Sequence, residues 1–167
     1  MTYQKQAWVD QETVITAARM NHIEDGIEAA AQSKAAVTYV LNTSPSIPSN
    51  ASRSPDGWTP VGEQVPEITY VSGSGFRVNT PGTYLVALSG SYGNGPTSGN
   101  MEYRVVHNGT RVLATFGANG DVSTRSGTCV VTAAEGDVIA PDYSQTSGSA
   151  VILRPGSFNT ITFVQIS

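Results

Sequence analysis

Cysteine, histidine and charged residues are all scarce in this chain of 167 residues. The single cysteine, Cys129, excludes an intrachain disulfide, and two histidines, His22 and His107, cannot build a His-rich metal site. Only 13% of the residues are charged, the net charge is −4, and the arginines are scattered rather than gathered in a stripe. Nucleic acid and anionic membranes are therefore unfavourable partners.

Long apolar runs are missing as well. Residues 1–6 are too polar to begin a secretory signal. No segment approaches the roughly 20 apolar residues that a membrane span needs. We therefore expect a chain that is made in the cytosol and stays soluble, with no membrane insertion.

Patterns that carry catalysis are also absent from the sequence. No Gly-x-Ser-x-Gly elbow accompanies His107, and the carboxylates of Glu135 and Asp137 flank a turn glycine, which is a common solvated role. No Asp-x-Asp-x-Asp-Gly calcium loop occurs, and the Gly-Ser-Gly at 73–75 lacks the lysine of a phosphate loop. We expect no catalytic residue, no metal and no cofactor, and we predict that the protein is not an enzyme.

One segment, from Thr16 to about Leu41, favours a helix because it is rich in Ala, Glu and Met and lacks proline. Residues 1–42 are interpreted as an N-terminal arm and helical anchor. Within them positions 20, 23, 27, 30, 34, 37 and 41 recur at alternating spacings of 3 and 4, and all are apolar except Lys34. The predicted seam of virion-anchor or trimer contacts comprises Trp8, Met20, Ile23, Ile27, Ala30, Val37 and Leu41. A parallel coiled coil and an amphipathic helix docked on another protein explain the stripe equally well.

Residues 43–63 are rich in proline and serine and show no periodicity, which is typical of a linker or an extended arm. Trp58 near its end is the exception. We expect this indole to fix the arm to the domain that follows.

Residues 64–167 show short β-branched and aromatic runs between turn signals, which predicts a mainly β, antiparallel sandwich of about eight to ten strands. Alternation places side chains on one face in several strands. The sets are Tyr84, Val86 and Leu88, then Met101, Tyr103 and Val105, then Val112, Ala114 and Phe116. The predicted strands lie near 65–71, 75–79, 83–92, 101–107, 111–117, 125–133, 137–143, 150–154 and 159–166.

The connections between these strands are of two kinds. Those at 81–82, 108–109 and 135–137 are tight, whereas three others are long and dominated by Gly, Ser, Thr and Asn. Because antiparallel strands reverse direction, tight turns and long loops should lie at opposite ends. If the arm joins at the tight-turn end, the long loops are distal and suited to binding, although solvated loops are an equally simple interpretation. The candidate receptor residues are Tyr92, Asn94, Thr97, Asn100, Asn119, Asp121, Tyr143, Gln145 and Thr146.

Two stretches of the N-terminal segment resemble a known family. They are Trp-Val-Asp at 8–10 and Thr-Val-Ile-Thr-Ala-Ala-Arg-Met-Asn-His-Ile-Glu-Asp-Gly-Ile at 13–27. Together they resemble the opening segment of many phage tail, baseplate and fibre proteins. The resemblance implies a virion protein in which this segment attaches to the particle or trimerises. The contacts that it implies are Trp8, Met20, Ile23 and Ile27.

The β domain is similar to a second family in the order and spacing of five short stretches. They are Phe-Arg-Val at 76–78, Pro-Gly-Thr-Tyr-Leu-Val at 81–86, Asn-Gly at 108–109, Glu-Gly-Asp-Val-Ile at 135–139 and Ile-Thr-Phe-Val at 161–164. They resemble the complement and tumour-necrosis-factor-like jelly roll. That resemblance implies a ten-stranded, usually trimeric head, so we expect a homotrimer.

Three functions fit these observations to different degrees. The first is a phage tail or fibre tip, anchored in the virion by its N-terminal segment and contacting a host surface glycan or protein through distal loops. The second is a capsid decoration or head fibre, which copy number per particle would separate from the first. Hydrolysis of surface polysaccharide is the third, and it lacks the clustered acids that such chemistry needs.

Overall fold

The computed structural model describes residues 21–23, 35–93, 99–119 and 124–167. The chain divides into two compact units, Met1–Ser33 and Lys34–Ser167. In the first unit residues 21–23 are helical, and Ile23 is exposed. The other seam residues predicted in that unit lie outside the described residues, so the seam stays a prediction there: Trp8, Met20, Ile27 and Ala30.

The second unit, here called the head, is built from β-strands, and its described residues contain no α-helix. The nine predicted strands are confirmed to within a few residues, and four further strands precede them. The strands are β1 Ala36–Leu41, β2 Ser46–Ile47, β3 Ala51–Arg53, β4 Trp58–Val61, β5 Ile68–Val71, β6 Gly75–Val78, β7 Gly82–Ser91, β8 Asn100–His107, β9 Arg111–Asn119, β10 Thr124–Ala133, β11 Val138–Gln145, β12 Val151–Ile152 and β13 Gly156–Gln165.

These strands form two antiparallel sheets that enclose one core. The first sheet has the order β10-β7-β13-β1-β4, and the second has the order β5-β6-β11-β8-β9 with β3 added beside β11. A small third sheet pairs β12 with β2. Alternate side chains from both large sheets are buried between them, including Val86, Tyr103 and Phe163. Burial of this apolar surface, at about 25 cal/mol per Å², is the main force that holds the two sheets together.

The prediction of a helix up to Leu41 is wrong, because residues 36–41 form strand β1 between β13 and β4. Val37 and Leu41 therefore belong to the core of the head and not to a helical seam. A spacing of four residues fits one face of a helix and one face of a strand alike. Tyr39 distinguishes the two, since it is buried beside them and its hydroxyl donates to the Ile68 carbonyl at 3.0 Å.

The predicted linker, 43–63, is also part of the head. It contains β2, β3 and β4, and Ile47 is fully buried. The expectation for Trp58 is confirmed: its indole is buried against Phe76 and its Nε1 donates to the Pro55 carbonyl at 2.7 Å. The domain boundary therefore lies near residue 34 and not at 42–43.

Strand β9 departs from the predicted alternation. A β-bulge shifts its register, so that Val106 pairs with Val112 while Val105 pairs with Ala114. The extra residue, Leu113, packs against the core, and Val112 is exposed. One inserted residue thus moves the side chains beyond it to the other face of the sheet.

The predicted separation of turns and loops is confirmed. Register places Gly82 beside Ala133 at one end of the first sheet and Ser91 beside Thr124 at the other. Strand β1 starts beside Val164 and runs toward Gly156, so the chain joins the head at the end that carries the tight turns. We call this the turn end, and we call the opposite end, which carries the three long connections, the loop end.

A carboxylate joins two tight turns at the turn end. Asp137 accepts hydrogen bonds from Asn108 Nδ2, the Ala134 amide and His107 Nε2, each at 2.9 Å. The bond from Asn108, followed by those from Ala134 and His107, lowers the pKa of Asp137 to about 2. Asn108 also has a positive φ of 52°, which suits the Asn-Gly turn, and its Oδ1 accepts from the Val138 amide.

We predict that this carboxylate stabilises the head in a pH-dependent way. Replacing Asp137→Asn should lower the free energy of unfolding near neutral pH by about 1 to 3 kcal/mol, because charge-assisted bonds are lost. The folded pKa lies below the ordinary value of 3.8, so the stabilisation is present above that value. It is lost as pH falls from about 5 toward 2.

Urea unfolding of both proteins across this pH range measures the difference. Glu135→Gln is the control, since this neighbouring carboxylate is exposed and should change stability by no more than about 0.5 kcal/mol. A deficit of Asp137→Asn that persists undiminished near pH 2 would contradict the assignment.

Candidate functional site

The loop end is closed by two segments that cross it, residues 42–57 and 144–155. Backbone bonds join them: the Asn50 amide donates to the Gln145 carbonyl, and the Leu153 amide donates to the Pro45 carbonyl. The side chain of Gln145 lies at the centre and is 1% exposed. Its Nε2 donates to the Ile47 and Ser149 carbonyls at 2.9 and 2.8 Å. Hydrogen bonds therefore hold the backbone beneath the loop end in place.

Three tyrosines pack beneath this layer. The ring centroids of Tyr92 and Tyr103 lie 5.4 Å apart, and those of Tyr103 and Tyr143 lie 5.5 Å apart. Burial raises the pKa of each of these phenols. Gly90 is required beneath them, because a Cβ at that position would lie 2.1 Å from the Tyr103 ring.

Three candidate receptor residues are consequently core residues, and their prediction as surface contacts is wrong. Tyr92 and Tyr143 are fully buried, and Gln145 is bonded on both sides. Each lies in a strand or bridge whose alternation turns its side chain inward. Strand β11 extends to Gln145, two residues beyond its predicted end. Tyr92 and Tyr143 were expected at the surface because each lies next to a long loop.

Two other candidates are brought together at the surface. Asn100 and Thr146 are exposed, and their backbones are bonded: the Thr146 amide donates to the Asn100 carbonyl at 2.9 Å. Thr146 Oγ1 in turn accepts from the Asn100 amide at 3.0 Å. Asn119 ends β9, but its side chain lies outside the described residues, as do Asn94, Thr97 and Asp121 entirely.

Sequence reasoning missed a second exposed group at the loop end. Ile152 is 44% exposed and Phe158 is 52% exposed, and the Arg154 guanidinium lies 5.3 Å from the centre of the Phe158 ring. The signal was present as alternation, since each of the two apolar side chains adjoins a buried residue, Val151 or Asn159. We call Ile152, Arg154 and Phe158 the apolar-arginine patch.

The outer faces of the two large sheets differ in charge. On the second sheet Arg104 Nη2 contacts Asp142 Oδ2 at 2.6 Å, and Ser144 Oγ lies 3.3 Å from Glu102 Oε2. The outward residues of the first sheet, below Phe158, carry no charge at all. They are Ala36, Thr38, Val40, Thr59, Val61, Thr83, Leu85, Ala87, Ser89, Thr124, Ser126, Thr128, Val130, Thr132, Thr160, Thr162 and Val164.

This uncharged face has a depression near its centre. This depression has a volume of about 280 Å³ and is lined by small side chains such as Ala87, Ser126 and Thr160. Thr38 and Thr162 hydrogen bond through their hydroxyls at 2.9 Å. Val130 and Val61 are 58% and 56% exposed on it, so apolar and hydroxyl groups alternate across the surface.

Within the described part of the chain, no group of three or more His, Cys, Asp or Glu side chains is placed to hold a metal ion. No helix there is long and apolar enough to cross a membrane. Cys129 is half-buried against the core, and burial raises the pKa of its thiol, as suits a structural cysteine.

No protein-family model and no curated protein matches the sequence. Solved structures do match. Eiger TNF from S. frugiperda is 17% identical with a TM-score of 0.63, and the match covers 81% of this chain and 94% of that one. Murine APRIL is 17% identical with a TM-score of 0.61, covering 80% and 99%. The PRD1 vertex protein P5 is 16% identical with a TM-score of 0.59, covering 79% and 96%.

The head is a jelly roll of the tumour-necrosis-factor type. This confirms the fold that the five short stretches of the β domain predicted. Identities of 16–17% show the fold alone, so partners and activity have to be argued from the surface of the head itself.

The tyrosine cluster gives a direct test of the core assignment. Tyr143 Oη is buried and has no hydrogen-bond partner among the described residues. Replacing Tyr143→Phe removes this hydroxyl without changing the ring, so we expect the free energy of unfolding to rise by about 1 kcal/mol. Tyr143→Ala should instead cost about 3 to 5 kcal/mol, because it empties the site.

The matched control is Tyr39→Phe, which removes a buried hydroxyl that does have a partner, the Ile68 carbonyl. It should lose about 1 kcal/mol. Thermal and urea unfolding measure all three variants. A loss of stability in Tyr143→Phe equal to that of the control would show that the Tyr143 hydroxyl is satisfied.

Proposed function

We propose that this protein is a structural component of a bacterial virus particle, held by its N-terminal segment and presenting the loop end of its head to the host surface. The observation that supports this most is the position of β1. The chain joins the head at the turn end, so the long connections lie at the end farthest from that junction. A segment that resembles phage attachment sequences thus precedes a domain whose free end is its loop end.

The folds of similar proteins agree with this proposal. One of them is named a vertex protein, which is a component of a virus particle. The others are named TNF and APRIL, and they show that the same jelly roll occurs in very different proteins. The fold is therefore compatible with a tail or fibre tip, and equally with a capsid decoration or head fibre.

We also propose that copies of the chain associate through the uncharged face of the first sheet, as a homotrimer. A neutral surface can be buried without the cost of removing charges from water, whereas burial of the second sheet would cover Arg104 and its acidic partners. Strand β1 belongs to the uncharged face, so association there gathers the N-terminal segments at the turn end. A parallel seam over residues 20–30 needs that same arrangement.

The role we propose for the loop end is binding and not catalysis. Asn100 and Thr146 offer an amide and a hydroxyl on a fixed backbone, which suits hydrogen bonds to a sugar or a protein. Several weak contacts of this kind, repeated on each copy in the particle, add to a strong attachment. A single head can therefore bind weakly and still serve an adhesive role.

The direct test is to locate the protein on purified virions with an antibody raised against the head and to count its copies by quantitative mass spectrometry. A tail or fibre tip predicts label at the tail with few copies per particle. A decoration protein predicts label over the capsid with many copies. Absence of the protein from purified particles would contradict both forms of the proposal.

Attachment to the host is tested separately by competition. The purified full-length protein, in excess over particles, should reduce their adsorption to host cells if the loop end binds the surface. The same protein unfolded by heat is the control. Unchanged adsorption at saturating protein would leave the particle assignment intact and exclude the tip role.

A further inference from the structure

The apolar-arginine patch adjoins a second cation at the loop end. Ile152 pairs with Ser46 in the small sheet of β12 and β2. The Arg53 Nη1 donates to the Ser46 carbonyl at 3.2 Å, which places this guanidinium beside strand β2 of the small sheet. Ile152 and Phe158 provide exposed apolar surface at the same end of the head.

The backbone beneath the patch is fixed. Asn159 is fully buried, and its Nδ2 donates to the Ser91 and Arg154 carbonyls at 2.9 and 2.6 Å. The Arg154 amide donates to the Ser91 carbonyl, and the Gly93 amide donates to the Ile152 carbonyl at 2.7 Å. These bonds hold the main chain at Ile152 and Arg154 in place and leave the side chains of Ile152 and Phe158 exposed to solvent. Such preorganisation reduces the entropy that binding would cost.

Arg154 of the patch and the neighbouring Arg53 differ from Arg104 in their ion pairing. Arg104 contacts Asp142 at 2.6 Å, whereas no carboxylate of a described residue lies within 4.0 Å of Arg154. Hydrogen bonds from the Gly73 amide and the Tyr70 hydroxyl are the largest causes of the lowered pKa of Asp56. The positive charge of Arg53 lowers this pKa by a smaller amount. A guanidinium stacked on a ring keeps its N–H edge free for a bidentate anion.

We propose that the patch binds a carboxylate or phosphate group of an anionic sugar polymer, an inference that rests on the proposed host-binding role and names its ligand. Arg154 bonds the anion, Arg53 adds a second positive charge, and Phe158 and Ile152 contact the apolar side of the sugar. Neutral donors and acceptors for sugar hydroxyls are exposed at the same end in Asn100 and Thr146.

The size of the patch favours a sugar over a protein. Stable protein interfaces bury about 1,200 to 2,000 Å² in total, whereas this patch consists of a few side chains around one aromatic ring. The net charge of −4 gives no long-range attraction to polyanions, so recognition has to be local. No sequence pattern indicated this site, because Arg53 and Arg154 are about a hundred residues apart in the chain.

The test is affinity electrophoresis of the full-length protein in gels that contain polygalacturonic acid, neutral dextran or poly-L-glutamate. We expect retardation by polygalacturonic acid and none by dextran, and added salt should weaken it. Arg154→Gln and Phe158→Ala should each weaken binding by at least about tenfold. Arg77→Gln is the matched control, because it removes the same charge from an exposed position on β6 and should bind within about twofold of the wild type.

Other results of this experiment would overturn the proposal. Equal retardation by dextran, or equal effects of Arg154→Gln and Arg77→Gln, would overturn the site. Equal retardation by poly-L-glutamate would overturn the sugar assignment in favour of acidic proteins. Sedimentation of Phe158→Ala with a lower mass than wild type would show that a second copy covers the ring. Melting temperatures confirm that the variants fold, and antibody labelling of virions tests the particle role independently.

Discussion

The pairing of β1 between β13 and β4 is the constraint on which the other features of the head depend. It commits Val37, Tyr39 and Leu41 to the core, and it commits Thr38 and Val40 to the outer surface of the first sheet. Because β1 runs from the turn end to the loop end, the segment that follows it has to cross the loop end before β4 returns. The proline- and serine-rich residues thus become the layer that holds Gln145 and covers the tyrosine cluster.

The surfaces of the head then separate by position and charge. The N-terminal segment joins the head at the turn end. There the Asp137 carboxylate accepts hydrogen bonds from two tight turns. The loop end carries exposed polar groups and the apolar-arginine patch on a rigid backbone. The second sheet carries ion pairs such as Arg104–Asp142, whereas the first sheet below Phe158 presents only hydroxyl and aliphatic groups on its outer face. This separation is the reason that we propose a different partner for each surface: the virion, the host and other copies of the chain.

Much of the fold followed from local patterns, and the errors have physical causes. Alternation and turn residues located the nine strands after residue 65, because each pattern there satisfies the geometry of only one kind of element. Residues 37 and 41 were ambiguous, since a spacing of four residues suits both a helix and a strand. Tyr92, Tyr143 and Gln145 were misplaced because burial depends on the crossing segment 42–57, a long-range feature that local composition does not reveal. The patch at Arg154 was missed for the same reason.

We propose that the neutral face of the first sheet meets other copies of the chain while the loop end stays free. Sedimentation equilibrium of the full-length protein over a range of concentrations distinguishes this arrangement from a monomer, by comparing wild type with Thr128→Arg on that face and Ser74→Arg in an exposed turn of the second sheet. We expect a wild-type oligomer whose dissociation concentration rises by at least about tenfold in Thr128→Arg, because an unpaired charge would be buried, and stays unchanged in Ser74→Arg. A monomeric wild type, or equal dissociation of the two variants, would show that this face is not the interface.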